Sequence, residues 1–172
     1  MATKNSSLYE EVKAWKKPLH ISKTLLASNY IKLLPNLQVI GITGSVGKTT
    51  TQNALASVLR QKFRTVVGEE NLDPTFRIPK TILTAKPWDQ KLILEYGIEK
   101  PADMDHYLKT AVPSVAVITK IAPTHLKYFE NIEGVFAEKS KLAKAVGKGG
   151  MVFLNAQDPY LKKLKGEIRA KV

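Results

Sequence analysis

Cysteine is absent from the 172 residues of this chain. A disulfide framework, a thiolate metal site and a thiol nucleophile are therefore excluded. Long hydrophobic runs are also lacking, because the longest are strand-sized and far below the roughly 20 residues that a membrane helix needs. The N-terminus has no apolar centre of the kind found in a signal peptide. We therefore expect no membrane span and a soluble, cytoplasmic protein.

Acidic residues are few relative to basic ones. The chain has 27 Lys and Arg against 15 Asp and Glu, a formal net charge of +12. This balance admits anionic partners such as nucleotides, nucleic acids or lipid head groups. The lysines are scattered and no nucleic-acid motif accompanies them, so we expect no dedicated nucleic-acid binding. The hydrophobic fraction of 44% and charged fraction of 24% are typical of a globular domain and exclude a disordered or coiled-coil chain.

The pattern of apolar residues divides the chain into two regions. Residues 1–36 are predicted to form an N-terminal helical segment, in which Pro18 interrupts a first apolar face and Pro35 ends a second helix over residues 21–34. That first apolar face consists of Leu8, Val12, Trp15 and Leu19. Residues 37–172 alternate short apolar strands with helices, which predicts one α/β domain with a mainly parallel sheet and helices on both faces.

Within this domain the strands and helices follow each other closely. The predicted strands are 38–43, 64–67, 91–95, 115–121 and 151–154, and the predicted helices are 48–61, 102–110 and 132–146. Ligands of such folds bind beyond the C-terminal ends of the strands, so candidate site residues are sought there.

A glycine-containing loop joins the first predicted strand to the first helix of the domain. Its glycines let backbone N–H groups converge on one point, and the helix start adds a partial positive charge there. Lys48 is suited to reach the β- and γ-phosphates of a nucleotide, and the Thr49 hydroxyl to complete the coordination of Mg²⁺. The residues assigned to phosphate binding are Gly44, Ser45, Val46, Gly47, Lys48, Thr49 and Thr50.

Three features qualify the type of nucleotide site. The strict phosphate-loop pattern needs glycine at position 42, where the chain has Ile42, so the match is to the shorter GxxGKT. The third predicted strand ends in Glu95, a carboxylate that is suited to hold Mg²⁺ but is also compatible with an ordinary strand-end acid. The segment TKIA at 119–122 lacks the aspartate of a GTPase base-reading element.

Five blocks in collinear order resemble the central ATP-binding domain of the Mur ligases. They are ITGSVGKTTTQNALASVL, LILEYGIEKPADMDHYL, VAVITKIAPTHLKYF, IEGVFAEKSKL and VFLNAQDP. The likeness is greatest to members that add D-alanyl-D-alanine. It implies a phosphate-loop NTPase-like fold and an ATP- and Mg²⁺-dependent ligase of peptidoglycan precursor synthesis. In that reaction ATP phosphorylates the carboxylate of a UDP-sugar peptide, and an amine attacks the acyl phosphate to give an amide.

The resemblance also implies roles for individual residues. Thr49 and Glu95 would hold a first Mg²⁺, and Glu95 and His125 would help to hold a second near the substrate carboxylate. Lys139 matches a lysine that CO₂ carbamylates, although a solvated lysine on a helix face is the other interpretation. With Lys48 and His125 it makes up the predicted catalytic set. Asn155, with Asp158 beside it, would face the adenosine end of ATP.

The chain also departs from the family pattern. A substrate loop of the form Asn-x-Asn-Asn-x-x-Gly-x-Pro corresponds to residues 71–79, where Asp73, Pro74 and Arg77 replace two amides and the glycine. We interpret Arg77 either as a contact to an anionic substrate or as a surface ion pair. Family members have further N- and C-terminal domains, so we expect either a truncated form of such a ligase or a protein partner that supplies the missing surfaces. The alternatives are an ATP-binding module without ligase activity, which docks through residues 1–35, and another kind of phosphate-loop ATPase or kinase.

Overall fold

A computed structural model describes residues 17–68 and 74–172 of the chain. The helices are α1 (Lys17–Tyr30), α2 (Lys48–Leu59), α3 (Pro74–Thr84), α4 (Asp103–Thr110), α5 (Ile132–Ala145) and α6 (Pro159–Leu164). The strands are β1 (Gln38–Thr43), β2 (Thr65–Val67), β3 (Lys91–Glu95), β4 (Val115–Ile118) and β5 (Met151–Leu154). Within the described ranges no helix is long and apolar enough to cross a lipid bilayer.

The five strands form one parallel sheet in the order β2-β3-β1-β4-β5. Alternate residues of each strand face opposite sides of the sheet. On one side, Val39 and Leu92 pack against the helices α1, α3, α4, α5 and α6. On the other side, Ile40 and Ile93 pack with Ala56 of α2. The prediction of an α/β fold with helices on both faces is confirmed. Because β3 and β4 flank β1 on opposite sides, a crevice opens beyond the C-terminal end of β1.

The helix before the sheet begins earlier than its sequence suggested. Pro18 lies in the first turn of α1, where its missing N–H costs no helical hydrogen bond, so the predicted start at residue 21 was wrong. Ala27 and Leu34 are buried in the core, and α1 contacts α3 and α4. The predicted apolar positions Leu8, Val12 and Trp15 lie outside the described residues.

A helix replaces most of the predicted substrate loop. Residues 71–73 lie outside the described residues, but α3 occupies positions 74–84. Pro79 sits inside this helix, where it removes a backbone hydrogen bond. Ile78 and Ile82 are 1% and 0% exposed, so burial of this face against the sheet outweighs the proline. The prediction of a loop over residues 74–79 was therefore wrong.

The fourth strand is shorter than the predicted range of 115–121. It ends at Ile118, because the chain then turns towards the loop that follows β1: the Ser45 N–H donates to the Lys120 carbonyl at 2.7 Å. All other predicted bounds in the domain agree with the structure to within two residues.

A buried carboxylate ties the last helix to this turn. Asp158 is 4% exposed, and its Oδ1 caps α6 by accepting from the N–H groups of Tyr160 at 2.9 Å and Leu161 at 3.1 Å. Its Oδ2 accepts from the Ile121 N–H at 2.8 Å. One side chain therefore fixes both the start of α6 and the segment that leaves β4.

We expect Asp158→Ala to lower the free energy of unfolding by about 2 to 4 kcal/mol, because it removes a helix cap and leaves the buried Ile121 N–H without its partner. Urea denaturation measures this loss. Asn131→Ala is the matched control, because the exposed Asn131 caps α5 through the Gly134 N–H alone and its loss should cost about 1 kcal/mol. Equal losses in the two variants would contradict the second role of Asp158.

Candidate functional site

The loop after β1 has the backbone conformation of an anion cradle. Gly44 and Gly47 have φ angles of 148° and 84°, a region that side chains with a Cβ rarely adopt. A Cβ at Gly44 would overlap the Thr119 hydroxyl, whereas one at Gly47 would meet nothing within 4 Å. Gly47 caps α2, whose first residue is Lys48. The loop therefore leads directly into the start of α2, where the backbone N–H groups of the helix favour an anion.

The segment that follows β4 holds this loop in place. The Ser45 hydroxyl donates to the Ala122 carbonyl at 2.9 Å and accepts from the Ala122 N–H at 3.0 Å. The Thr119 hydroxyl donates to the Val46 carbonyl at 2.6 Å, and the Thr124 hydroxyl lies 3.3 Å from the Ser45 hydroxyl. Ser45 thus serves as an anchor of the loop as well as a predicted phosphate-binding residue.

A lysine from α5 supports the loop from the other side. Lys139 is 1% exposed, and its Nζ donates to the Gly44 carbonyl at 2.9 Å. Burial lowers the pKa of Lys139 to about 7. The positive charge of Lys48 also lowers this pKa, whereas the negative charges of Glu95 and Glu138 raise it. The interpretation of Lys139 as a solvated helix lysine was therefore wrong. At neutral pH a large fraction of the molecules therefore carries Lys139 as an uncharged amine.

The carboxylate at the end of β3 meets the start of α2. Glu95 is 7% exposed, and its Oε2 accepts from the Thr49 hydroxyl at 2.9 Å. The same oxygen lies 3.4 Å from Nη2 of Arg77, in an ion pair whose side chains are 6% and 8% exposed. Arg77 is thus a buried partner of Glu95, and the interpretation as a surface ion pair was wrong.

Lys48 and this carboxylate both lie beside Gly97. A Cβ at Gly97 would lie 3.7 Å from Cε of Lys48 and 3.9 Å from Oε1 of Glu95. It would also press on the Pro74 ring at 3.2 Å, closer than most Cβ contacts. Gly97 therefore marks the place where Lys48, Glu95 and the start of α3 converge. Gly97 was not among the predicted site residues, although a glycine two residues after a strand-end acid was the available signal.

The donors at this edge fit a nucleotide with Mg²⁺. Among the residues that the structure describes, no three His, Asp or Glu side chains cluster so as to hold a metal ion. Mg²⁺ commonly takes one or two protein oxygens and completes its shell with phosphates and water, and Thr49 and Glu95 supply such oxygens. The Gln52 amide is fully buried, three residues after Thr49 on the same helix, and has no hydrogen-bond partner within the described residues. A polar group of this kind commonly binds an ordered water.

The remaining predicted residues follow the C-terminal ends of β4 and β5, on the same edge of the sheet. His125 is exposed, follows Thr124 and has a φ of 56°. Asn155 is exposed after β5, two strands from β1, and its Oδ1 accepts from the Gln157 N–H at 3.0 Å. Both oxygens of Asp158 bind backbone N–H groups, so the expectation that Asp158 faces adenosine is replaced by a structural role.

Comparison with known proteins gives one family. The model of the Mur ligase middle domain matches residues 42–172. A UDP-N-acetylmuramoyl-tripeptide–D-alanyl-D-alanine ligase from Borreliella burgdorferi is 33% identical over 159 residues, which cover 86% of this chain and 33% of that protein. The enzyme of the same name from Bacillus subtilis is 29% identical over 136 residues, or 79% of this chain and 30% of that protein. The chain thus spans about a third of the length of these relatives.

Solved structures agree with this result. The MurF ligase from Thermotoga maritima in complex with ADP superposes with a TM-score of 0.81 at 27% identity, over 88% of this chain and 35% of that one. The FolC protein of Escherichia coli, in complex with DHPP and ADP, has a TM-score of 0.58 at 17% identity, over 87% of this chain and 45% of that one. The second likeness concerns the fold alone.

We expect the stability of the chain to depend on pH through Lys139. Its pKa is about 7 in the folded chain and ordinary when unfolded, so the unfolded state binds more protons above pH 7. The free energy of unfolding should therefore rise relative to Lys139→Met by about 1.4 kcal/mol per pH unit between pH 7 and pH 9. Urea denaturation at several pH values measures it.

Lys141→Met on the same helix is the control. Burial alone would lower the pKa of Lys141, but hydrogen bonds to Asp105 and Glu138 outweigh it and raise the pKa above its ordinary value. Lys141 is therefore charged in both states from pH 7 to pH 9, and its variant should keep a constant difference from the wild type. A constant difference for Lys139→Met would contradict the lowered pKa.

Proposed function

The chain belongs to the Mur ligase family, whose middle domain it contains, and from this premise we propose that it binds ATP with Mg²⁺ for the formation of an amide bond. The proposed substrates are those in the names of its relatives, a UDP-N-acetylmuramoyl-tripeptide and D-alanyl-D-alanine. ATP is made inside the cell, so we place this reaction in the cytoplasm.

One observation carries the proposal. The phosphate loop, the Lys48 ammonium and the Thr49–Glu95 pair meet at one edge of the sheet, with the Thr49 hydroxyl 2.9 Å from the Glu95 carboxylate. The loop offers N–H donors to phosphate, Lys48 offers a charge, and Thr49 and Glu95 offer oxygens for Mg²⁺. Binding of a nucleoside triphosphate requires these three kinds of group within a few ångströms.

The chemistry of ligation explains why cations surround this edge. A carboxylate becomes a good electrophile when a phosphate is attached to it, so two anions have to be brought into contact. Two like charges 4 Å apart repel by about 4 kcal/mol at an effective dielectric constant near 20. Bound Mg²⁺ would offset part of this repulsion. The Lys48 ammonium would contribute in the same way, as a positive charge beside the γ-phosphate.

We propose that Lys139 is the site of carbamylation. The reaction needs the uncharged amine, whose nitrogen attacks the carbon of CO₂ and then loses a proton. The lowered pKa of Lys139, about 7, makes this form available at neutral pH. The product is anionic, and the charge of Lys48 that disfavours a protonated Lys139 would favour it. The carbamate nitrogen keeps one N–H for the Gly44 carbonyl, and its carboxylate would add an anionic acceptor near the phosphate loop.

We assign subsidiary roles to two exposed residues. His125 follows the segment that anchors Ser45, so we propose that it contributes a nitrogen near the substrate carboxylate. Asn155 lies two strands from β1 on the same edge, a suitable distance for a contact to the adenosine end of a nucleotide whose phosphates occupy the loop. Neither side chain is buried, which leaves both accessible to ligands.

Surfaces for the sugar peptide and the amine have to come from elsewhere. The chain spans about a third of its relatives, and the described site consists of phosphate- and metal-binding groups. We propose that a protein partner, or further domains, supplies the other two substrate sites. The alternative is an ATP-binding module that does not catalyse ligation.

We expect Lys48→Ala to weaken the binding of ADP or an ATP analogue about a hundredfold, because a charged contact to phosphate contributes up to about 3 kcal/mol. Isothermal titration calorimetry in the presence of Mg²⁺ measures this. The matched control is Lys86→Ala, which removes an exposed lysine from the turn before β3, at the opposite edge of the sheet. Unchanged affinity in Lys48→Ala would refute the assigned role of the loop.

Phosphate release separates the two candidate functions. If the chain supplies the ATP site of a ligase, phosphate release in the presence of the partner or domains that supply the other two sites should require both UDP-N-acetylmuramoyl-tripeptide and D-alanyl-D-alanine, and Lys48→Ala should abolish the substrate-dependent part. Binding of ATP with no release of phosphate under any of these conditions would instead support the module. Release of phosphate that neither substrate changes would identify a simple ATPase.

A further inference from the structure

A permanent cation lies in the site beside the carboxylate that the metal needs. Nη2 of Arg77, on α3, is 3.4 Å from Oε2 of Glu95 and donates to the Glu95 carbonyl at 3.5 Å. The two side chains are 6% and 8% exposed. An arginine cannot be deprotonated in a protein, so its charge is present at every working pH.

The packing around Arg77 fixes the position of its guanidinium. A Cβ at Gly68, just after β2, would lie 3.1 Å from both Cγ and Cδ of Arg77. Oγ1 of Thr81 lies 2.9 Å from the same Cβ position and donates to the Arg77 carbonyl at 2.8 Å. The stem of Arg77 therefore packs closely against the backbone of Gly68. Unlike a surface arginine, the side chain is almost fully removed from water.

The two oxygens of Glu95 have different surroundings. Oε2 accepts from Thr49 and faces Arg77, whereas Oε1 lies towards Gly97. A carboxylate that bridges two metal ions commonly gives one oxygen to each. With Thr49 and Arg77 both at Oε2, Oε1 is the oxygen left for a divalent ion.

We propose that Arg77 takes the place of a second divalent ion at Glu95, so that the chain binds its nucleotide with one divalent ion and one guanidinium. This inference rests on the proposed function, in which the phosphate loop and Glu95 bind a nucleotide with Mg²⁺. Arg77 acts through Glu95 and is therefore a positioning residue. It neutralises the carboxylate and keeps it directed at the single ion.

The test counts metal ions rather than turnover. Mn²⁺ replaces Mg²⁺, the chain is saturated with a non-hydrolysable ATP analogue, and the free Mn²⁺ is measured from its electron paramagnetic resonance signal. Calorimetry on the same samples gives the amount of bound nucleotide. We expect one Mn²⁺ per bound nucleotide in the wild type. We expect two in Arg77→Gln, which removes the cation from Oε2 and leaves that oxygen with the Thr49 hydroxyl alone.

Arg60→Gln is the matched control, because it removes an exposed arginine at the end of α2 and should leave the count at one. If Arg77→Gln does not fold, the inference is tested by the Mn²⁺ count of the wild type and of Arg77→Lys, which keeps the charge; both counts should be one. If the nucleotide binds normally, a count of two Mn²⁺ in the wild type, or of one in folded Arg77→Gln, would overturn this inference but not the proposed function. Absence of nucleotide binding by the wild type would overturn the proposed function, and the inference with it.

Discussion

The charge of one buried carboxylate governs the arrangement of this site. Glu95 is removed from water at the end of β3, and an ionised group in that position is stable only with partners. The Thr49 hydroxyl and the Arg77 guanidinium provide them. These contacts join β3 to α2 and α3, so the elements around the crevice are held by the same group that we assign to the metal. Stability and ligand binding therefore draw on one side chain.

The features that the sequence predicted well are those that depend on local pattern. Apolar runs such as residues 38–43 and 91–95 form the predicted strands, because burial on both faces of a parallel sheet needs continuous apolar sequence. The glycines at 44 and 47 adopt the positive φ angles that a phosphate loop requires. Because Glu95 and His125 follow strands of the same parallel sheet, the sequence also predicted that both lie on the edge that holds this loop.

The features that the sequence did not reveal depend on packing between distant segments. Lys139 lies on a helix with two other lysines, and only the approach of α5 to Gly44 distinguishes it from them. Arg77 and Glu95 are 18 positions apart, and their pairing depends on a helix that contains Pro79 and was expected to be a loop. Asp158 was assigned to a ligand, although the backbone N–H groups that it binds include one 37 positions away.

The hydrogen bonds between Ser45 and the segment after β4 have a consequence for the speed of binding. Since Ala122 and Thr124 already hold Ser45, the loop need not be ordered when a nucleotide arrives, and little conformational entropy is lost at that moment. Encounter and desolvation, rather than folding of the loop, should then limit the rate of association.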